Sequence, residues 1–109
     1  MPFTLSRTEL VRTANLIDGT WRDALDGRRF DITDPATLET VASAPDSGGA
    51  DARAATDAAA RALPAWRTTP ARERAAILRA WHAAIVAHTD DLAKLMSREQ
   101  GKPFAEARG

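Results

Sequence analysis

The 109-residue sequence contains no cysteine. That excludes a disulfide framework, a cysteine-based zinc site and a thiol nucleophile within this chain. No excess of either charge is present: 15 Lys and Arg balance 15 Asp and Glu. Bulk electrostatics therefore gives no case for nucleic acid or an anionic membrane, and neither is expected as a partner. Long apolar runs are missing too. The longest stretch without a formal charge, residues 80–89, is ten residues, too short to span a bilayer. Arg7 and Arg12 are followed by no uncharged apolar segment of the kind a signal peptide needs. The expected location is soluble and cytoplasmic. Large apolar side chains are also scarce. The hydrophobic class makes up 44% of the chain, but 24 of its members are alanine, which buries little surface. A core made from the remainder is thin for this length.

Composition changes near residue 50. Residues 1–50 carry 5 basic and 8 acidic side chains; residues 51–109 carry 10 and 7. The first part holds β-branched residues and turn pairs. Asp18-Gly19, between Asn15-Leu16-Ile17 and Thr20-Trp21, predicts a hairpin, because a type I′ turn needs positive φ at both central residues. Asp26-Gly27 marks a second turn. Alternation around Phe30 and Ile32 predicts a half-buried strand. Asp34-Pro35 ends it, since proline donates nothing to a ladder and restricts the residue before it. A further strand is expected over residues 40–44, ending at Pro45. Together these form a short antiparallel β meander.

The second part reads as helices. Asp51, after Ser47-Gly48-Gly49, favours a helix N-terminus. Residues 52–63 are strongly helix-forming, and Pro64 is expected to end or kink the helix. Thr69-Pro70 predicts a second helix with Thr69 as N-cap and Pro70 in its first turn. Its apolar stripe is Ile77, Leu78, Trp81 and Ile85. Thr89-Asp90-Asp91 is expected to cap a third helix with Leu92, Leu95 and Met96 on one face, and Gly101 to stop it. A fourth helix should start at Pro103. It has barely begun at Gly109, so the chain reads as cut through that helix.

Few motifs carry chemistry. Gly101-Lys102 lacks the rest of a phosphate loop, since position 96 is Met and position 103 is Pro. The six glycines never take the G-x-G-x-x-G spacing. His82 and His88, six apart on a helix, are turned by about 240° from each other and do not share a metal. The Asp90-Asp91 pair fits helix capping better than acid–base chemistry. Trp21, Trp66 and Trp81 lie in separate elements without basic clusters, which suits packing rather than base stacking. Arg28-Arg29, Arg72 and Arg74 are expected in solvent. Glu99 stands at a helix C-terminus, where the dipole disfavours a carboxylate, so it should have a basic or cationic partner. No catalytic constellation is present.

Several segments together form a pattern. Leu16-Ile17-Asp18-Gly19-Thr20-Trp21, Phe30-Asp31-Ile32-Thr33-Asp34-Pro35-Ala36-Thr37 and Ala58-Ala59-Ala60-Arg61-Ala62-Leu63-Pro64-Ala65-Trp66 come first. Glu73-Arg74-Ala75-Ala76-Ile77-Leu78-Arg79 and Glu99-Gln100-Gly101-Lys102-Pro103 follow. In order and spacing these resemble the N-terminal part of the NAD(P)-dependent aldehyde dehydrogenase family. Leu63-Pro64-Ala65-Trp66-Arg67 and His88-Thr89-Asp90-Asp91-Leu92-Ala93, with the Gly-Lys-Pro segment, are most similar to its succinate-semialdehyde dehydrogenase branch.

The resemblance implies an α+β segment. It comprises the β meander, three helices and a truncated fourth, and it belongs to an α/β fold whose complete form holds a Rossmann-type cofactor domain. Residues 1–13 would be an N-terminal arm and residues 14–109 an incomplete dehydrogenase domain. The complete enzyme would oxidise succinate semialdehyde to succinate with NAD or NADP, and would act as a homo-oligomer. By the family pattern, the nucleophilic cysteine, the glutamate base and the dinucleotide loops lie beyond Gly109. This chain is thus expected to hold no catalytic or cofactor-binding residue and to be inactive alone. Some members hold a monovalent cation through two backbone carbonyls and an acidic side chain; the matching positions are Ile32, Thr33 and Glu99. The alternative expectation is a small stand-alone α+β interaction module or a non-catalytic paralogue.

Overall fold

A computed structural model describes residues 4–109. Two β-hairpins come first. Strands β1 (Asn15–Ile17) and β2 (Thr20–Arg22) pair antiparallel, with Leu16 opposite Trp21. Their turn has φ of +54° at Asp18 and +71° at Gly19, the double positive φ that Asp-Gly accommodates. Strands β3 (Arg29–Thr33) and β4 (Thr40–Pro45) form the second antiparallel pair. The expected strands are all present, but as two separate two-stranded sheets rather than one continuous meander. The Asp26-Gly27 turn and the loop before it separate the two sheets.

Four helices follow: α1 (Gly49–Thr68), α2 (Ala71–Ala87), α3 (Thr89–Gln100) and α4 (Phe104–Arg108). No helix among the described residues is long and apolar enough to cross a membrane. Asp51 caps α1 as expected: its Oδ2 accepts the Gly48 N–H at 2.9 Å. Gly101 stops α3 with φ of +75°.

Three expectations about helix ends are corrected. Of the two outcomes expected at Pro64, an end or a kink, the end is not met: α1 continues four residues further. Proline leaves the Ala60 carbonyl without its helical donor, and Ala60 is exposed, so the lost bond costs less than it would in a core. Thr69 is not the N-cap of α2. Its hydroxyl donates back to the Ala65 carbonyl at 2.9 Å and closes α1, while Pro70 holds the N-cap position of α2. Nor do Thr89, Asp90 and Asp91 cap α3. Thr89 Oγ1 donates to the Val86 carbonyl at 2.9 Å, Asp90 pairs with Arg108, and Asp91 reaches the N-terminal segment. Hydroxyls at tight helix–helix junctions find the carbonyls of the finished helix closer than the amides of the next.

Hydrophobic burial is slight. Among the described residues the buried apolar side chains are Ile17, Ala24, Ala58 and Ala93, and no large side chain is fully enclosed. Ile17 and Leu16 lie across from the alanine face of α1, formed by Ala55, Ala58, Ala59 and Ala62, with a cleft of about 330 Å³ between them. Helix α2 has no buried residue; Arg74, expected in solvent, is half-buried. Ile77, Leu78, Trp81 and Ile85, the stripe read from the sequence, are all exposed, Trp81 at 66%. Trp21 and Trp66 are exposed as well, so the expected packing role of the three tryptophans is not met within this chain. Trp21 has the Arg12 guanidinium over its ring at 5.1 Å, a cation–π contact.

Buried polar groups take over part of the work. Asp34, Asp51 and Asp91 are the buried charged residues described. Each carboxylate accepts two backbone N–H groups. Asp51 takes Leu25 as well as Gly48, both at 2.9 Å, which fastens the loop after β2 to α1. Arg29 is exposed, as expected, and also bridges strands and loops. It donates to the Thr13 and Ser43 carbonyls at 2.7 Å and pairs with Asp23. Arg28 pairs with Asp26 at 2.7 Å.

Candidate functional site

The one position set singled out for ligation, Ile32, Thr33 and Glu99, lies where the end of β3 meets the end of α3. Asp34 immediately follows Thr33, and Arg98 immediately precedes Glu99. These two neighbours join the elements: the Arg98 guanidinium is 3.0 Å from Asp34 Oδ2 and 3.6 Å from Glu39. Asp34 Oδ1 meanwhile accepts the Ala36 N–H at 2.8 Å and the Thr37 N–H at 3.3 Å. This Asx turn follows from the Asp-Pro pair, whose aspartate mimics a backbone turn. The Ala36 amide, supported by Thr37 and the Arg98 charge, holds the Asp34 carboxyl below its ordinary value against the opposing effect of burial.

The turn also presses against the Gly-Lys-Pro segment. A Cβ on Gly101 would stand 2.8 Å from Pro35 Cγ. Glycine is therefore required twice at 101, for its positive φ and for this approach.

Within β3 the pairing slips between Ile32 and Thr33: Ile32 faces Ala42, and Thr33 faces Thr40, leaving Val41 as the extra residue on β4. Such a bulge disrupts the ladder locally and leaves backbone polar groups available for other partners. Ile32 is half-buried and Thr33 exposed. Glu99 is exposed and has no hydrogen bond or ion pair among the described residues, so the basic side chain expected beside it is not found there. No cluster of three or more His, Asp or Glu occurs among the described residues. A site here would depend on main-chain oxygens.

The sequence reading named Ile32, Thr33 and Glu99 but missed Asp34 and Arg98, which organise the corner. A signal existed for Asp34, in Asp-Pro turn chemistry. None existed for Arg98, whose partner lies 64 positions away. The two histidines stay apart in role: His82 is exposed on α2, and His88 is half-buried at the α2–α3 junction.

Residues 21–109 match the aldehyde dehydrogenase family. The chain is 51% identical to the succinate-semialdehyde dehydrogenase (NADP(+)) GabD of Escherichia coli, over 96% of this chain and 22% of that protein. It is 47% identical to the glutarate-semialdehyde dehydrogenase of Pseudomonas putida over the same shares. Among solved structures, an NADP-dependent enzyme of Escherichia coli superimposes with a TM-score of 0.94 and 51% identity, covering 97% of this chain and 22% of that one. The chain thus spans about a fifth of the length of the curated relatives it matches. On this agreement of sequence and structure, the chain belongs to the aldehyde dehydrogenase family.

Proposed function

We propose that this chain is the N-terminal part of a cytoplasmic enzyme that oxidises succinate semialdehyde to succinate, with NAD(P)+ accepting the hydride. The observation that carries the reading is the 51% identity, along 96% of the chain, to a succinate-semialdehyde dehydrogenase. In this reading residues 1–13 are an arm, and residues 14–109 are scaffold for a catalytic and cofactor-binding part outside them. The exposed stripe of α2 supports the same view, since it is a helix face without a partner in this chain. The complete enzyme is a homo-oligomer, and these 109 residues alone are inactive.

The test is a comparison of kcat/KM for succinate semialdehyde and glutarate semialdehyde, with NAD+ and with NADP+, in a family-length protein carrying this N-terminus. The expected order favours succinate semialdehyde; a preference for glutarate semialdehyde overturns the substrate assignment. Formation of NAD(P)H by the 109-residue chain alone would overturn its role as scaffold.

The same reading places a structural monovalent cation between the Ile32 and Thr33 carbonyls and the Glu99 carboxylate. It would join β3 to α3 beside the Asp34–Arg98 pair. Potassium should then raise the melting temperature of the wild-type protein and leave Glu99→Ala unmoved. An equal potassium response in both proteins removes the site.

A further inference from the structure

Asp91 has an unusual set of partners for a residue in the first turn of a helix. It is 4% exposed. Its Oδ1 accepts the main-chain N–H of Ser6 at 3.0 Å, and its Oδ2 that of Arg7 at 2.9 Å. One turn further along α3, Lys94 donates from Nζ to the Thr4 carbonyl at 2.8 Å, with its ammonium 3.8 Å from Asp91 Oδ1. Two side chains of α3 thus hold two amides and one carbonyl of the segment at residues 4–7. The segment contributes little else. It contains a single 3-10 turn, Thr8–Leu10, with no buried residue, and only Leu5 and Leu10 are half-buried. Its hydrogen bonds to the rest of the described chain go to Asp91 and Lys94.

We propose that residues 4–10 form a strap clipped to α3 by Asp91 and Lys94, which detaches as a unit while the rest of the chain stays folded. Regions held by few apolar contacts and a small number of hydrogen bonds open at a lower free energy than the body of a protein. Ser6 and Arg7 also line a cleft of about 620 Å³, whose other walls are residues 86–91 and Arg108. Release of the strap removes that wall and uncovers the α2–α3 junction.

The charged groups around the clip set its response to acid. Arg7 and Glu9 lie on the strap, His88 at the α2–α3 junction, Asp90 and Lys94 on α3, and Arg108 on α4, paired with Asp90 at 2.6 Å. The Ser6 amide first, then the Arg7 amide and the Lys94 and His88 charges, hold the Asp91 carboxyl below its ordinary value, while burial opposes them. The clip is accordingly closed at neutral pH. Opening becomes easier as pH falls through that lowered value, where a protonated carboxyl attracts the two donors less strongly.

Hydrogen exchange with mass spectrometry on the full-length protein tests this, with protection corrected for intrinsic exchange. Asp91→Asn keeps the shape and removes the charge. It should lower protection of the Ser6 and Arg7 amides about tenfold or more, the factor that loss of one charged hydrogen bond brings, with peptides of α1 unchanged. Lys94→Met should give a smaller loss confined to the same peptide. Unchanged protection at residues 4–10 in Asp91→Asn overturns the proposal, and so does an equal loss in α1. Should Asp91→Asn not accumulate, acid titration of the wild type decides. Strap protection lost at a pH where α1 is still protected supports the strap, and simultaneous loss refutes it.

Discussion

Asp34 and Asp51 each order their own turn and also reach a distant segment, whereas Asp91 uses both carboxylate oxygens on a distant one. Asp51 caps α1 and holds Leu25; Asp34 closes its own turn and pairs with Arg98; Asp91, in the first turn of α3, holds Ser6 and Arg7. A carboxylate accepts several N–H groups at once, so one side chain satisfies two otherwise orphaned donors. Acid sensitivity follows. Asp34 is more acidic in the folded chain than its ordinary value of 3.8. Its contribution to stability is complete above that value and is lost as pH falls through the lower folded-state value. Asp34→Ala should therefore show a shallower fall of melting temperature with acid than the wild type. Identical acid limbs would show that Asp34 is not a titrating staple. Gly101 is the other sensitive residue. Gly101→Ala meets both a positive φ and the Pro35 ring, and should cost about 1–3 kcal/mol in urea unfolding. A loss below a few tenths would mean that the turn yields freely.

Among the elements, α1 shows how context overrides a local rule. Proline in a helix interior removes one hydrogen bond and crowds the preceding turn, yet α1 runs through Pro64 to Thr68. The helix continues because its final turn is closed twice, by Thr68 to the Pro64 and Ala65 carbonyls and by Thr69 to Ala65. Pro64→Ala restores a donor at an exposed position and should stabilise the protein by roughly 1–3 kcal/mol. Denaturant midpoints check this, and a lower midpoint would show that the altered backbone at Pro64 is needed for packing. Helix α3 is the opposite case. Short and polar, it is fastened at its start by Asp91 and Lys94 and at its end by Arg98 and Gly101, so it links the N-terminal segment to the β3–β4 turn.

For the whole molecule, the measure is how little is enclosed. The radius of gyration is 16.8 Å, against about 13 Å for a compact domain of this length. The accessible surface is 7979 Å², against about 5,900 Å² for a folded monomer of this mass. The excess lies in faces such as Ile77, Leu78, Trp81 and Ile85. In the 109-residue chain, Trp81→Ser should change stability by less than about 0.5 kcal/mol, as at an ordinary surface position. It should also reduce binding of a hydrophobic dye. A loss of several kcal/mol would mean that the ring is packed.

Much of this was legible in the sequence, because its signals are short-range. Asp18-Gly19 specifies its turn through positive φ, Gly101 its helix stop, and the period of Ile77, Leu78, Trp81 and Ile85 its helix face. The ordered blocks from Leu16 to Pro103 carried the family. The scarcity of large apolar residues already announced a thin core. What only the tertiary structure decided is which partner each polar group takes. The link from Asp91 to Ser6 spans 85 positions, and that from Asp51 to Leu25 spans 26; local spacing is silent at such distances. Capping by Thr69, Thr89 and Asp91 was misassigned for the same reason: each has donors or acceptors on two sides, and the path of the chain chooses between them. The apolar stripe on α2 was correctly read as a face, but a period of 3.6 residues specifies a face and not what covers it.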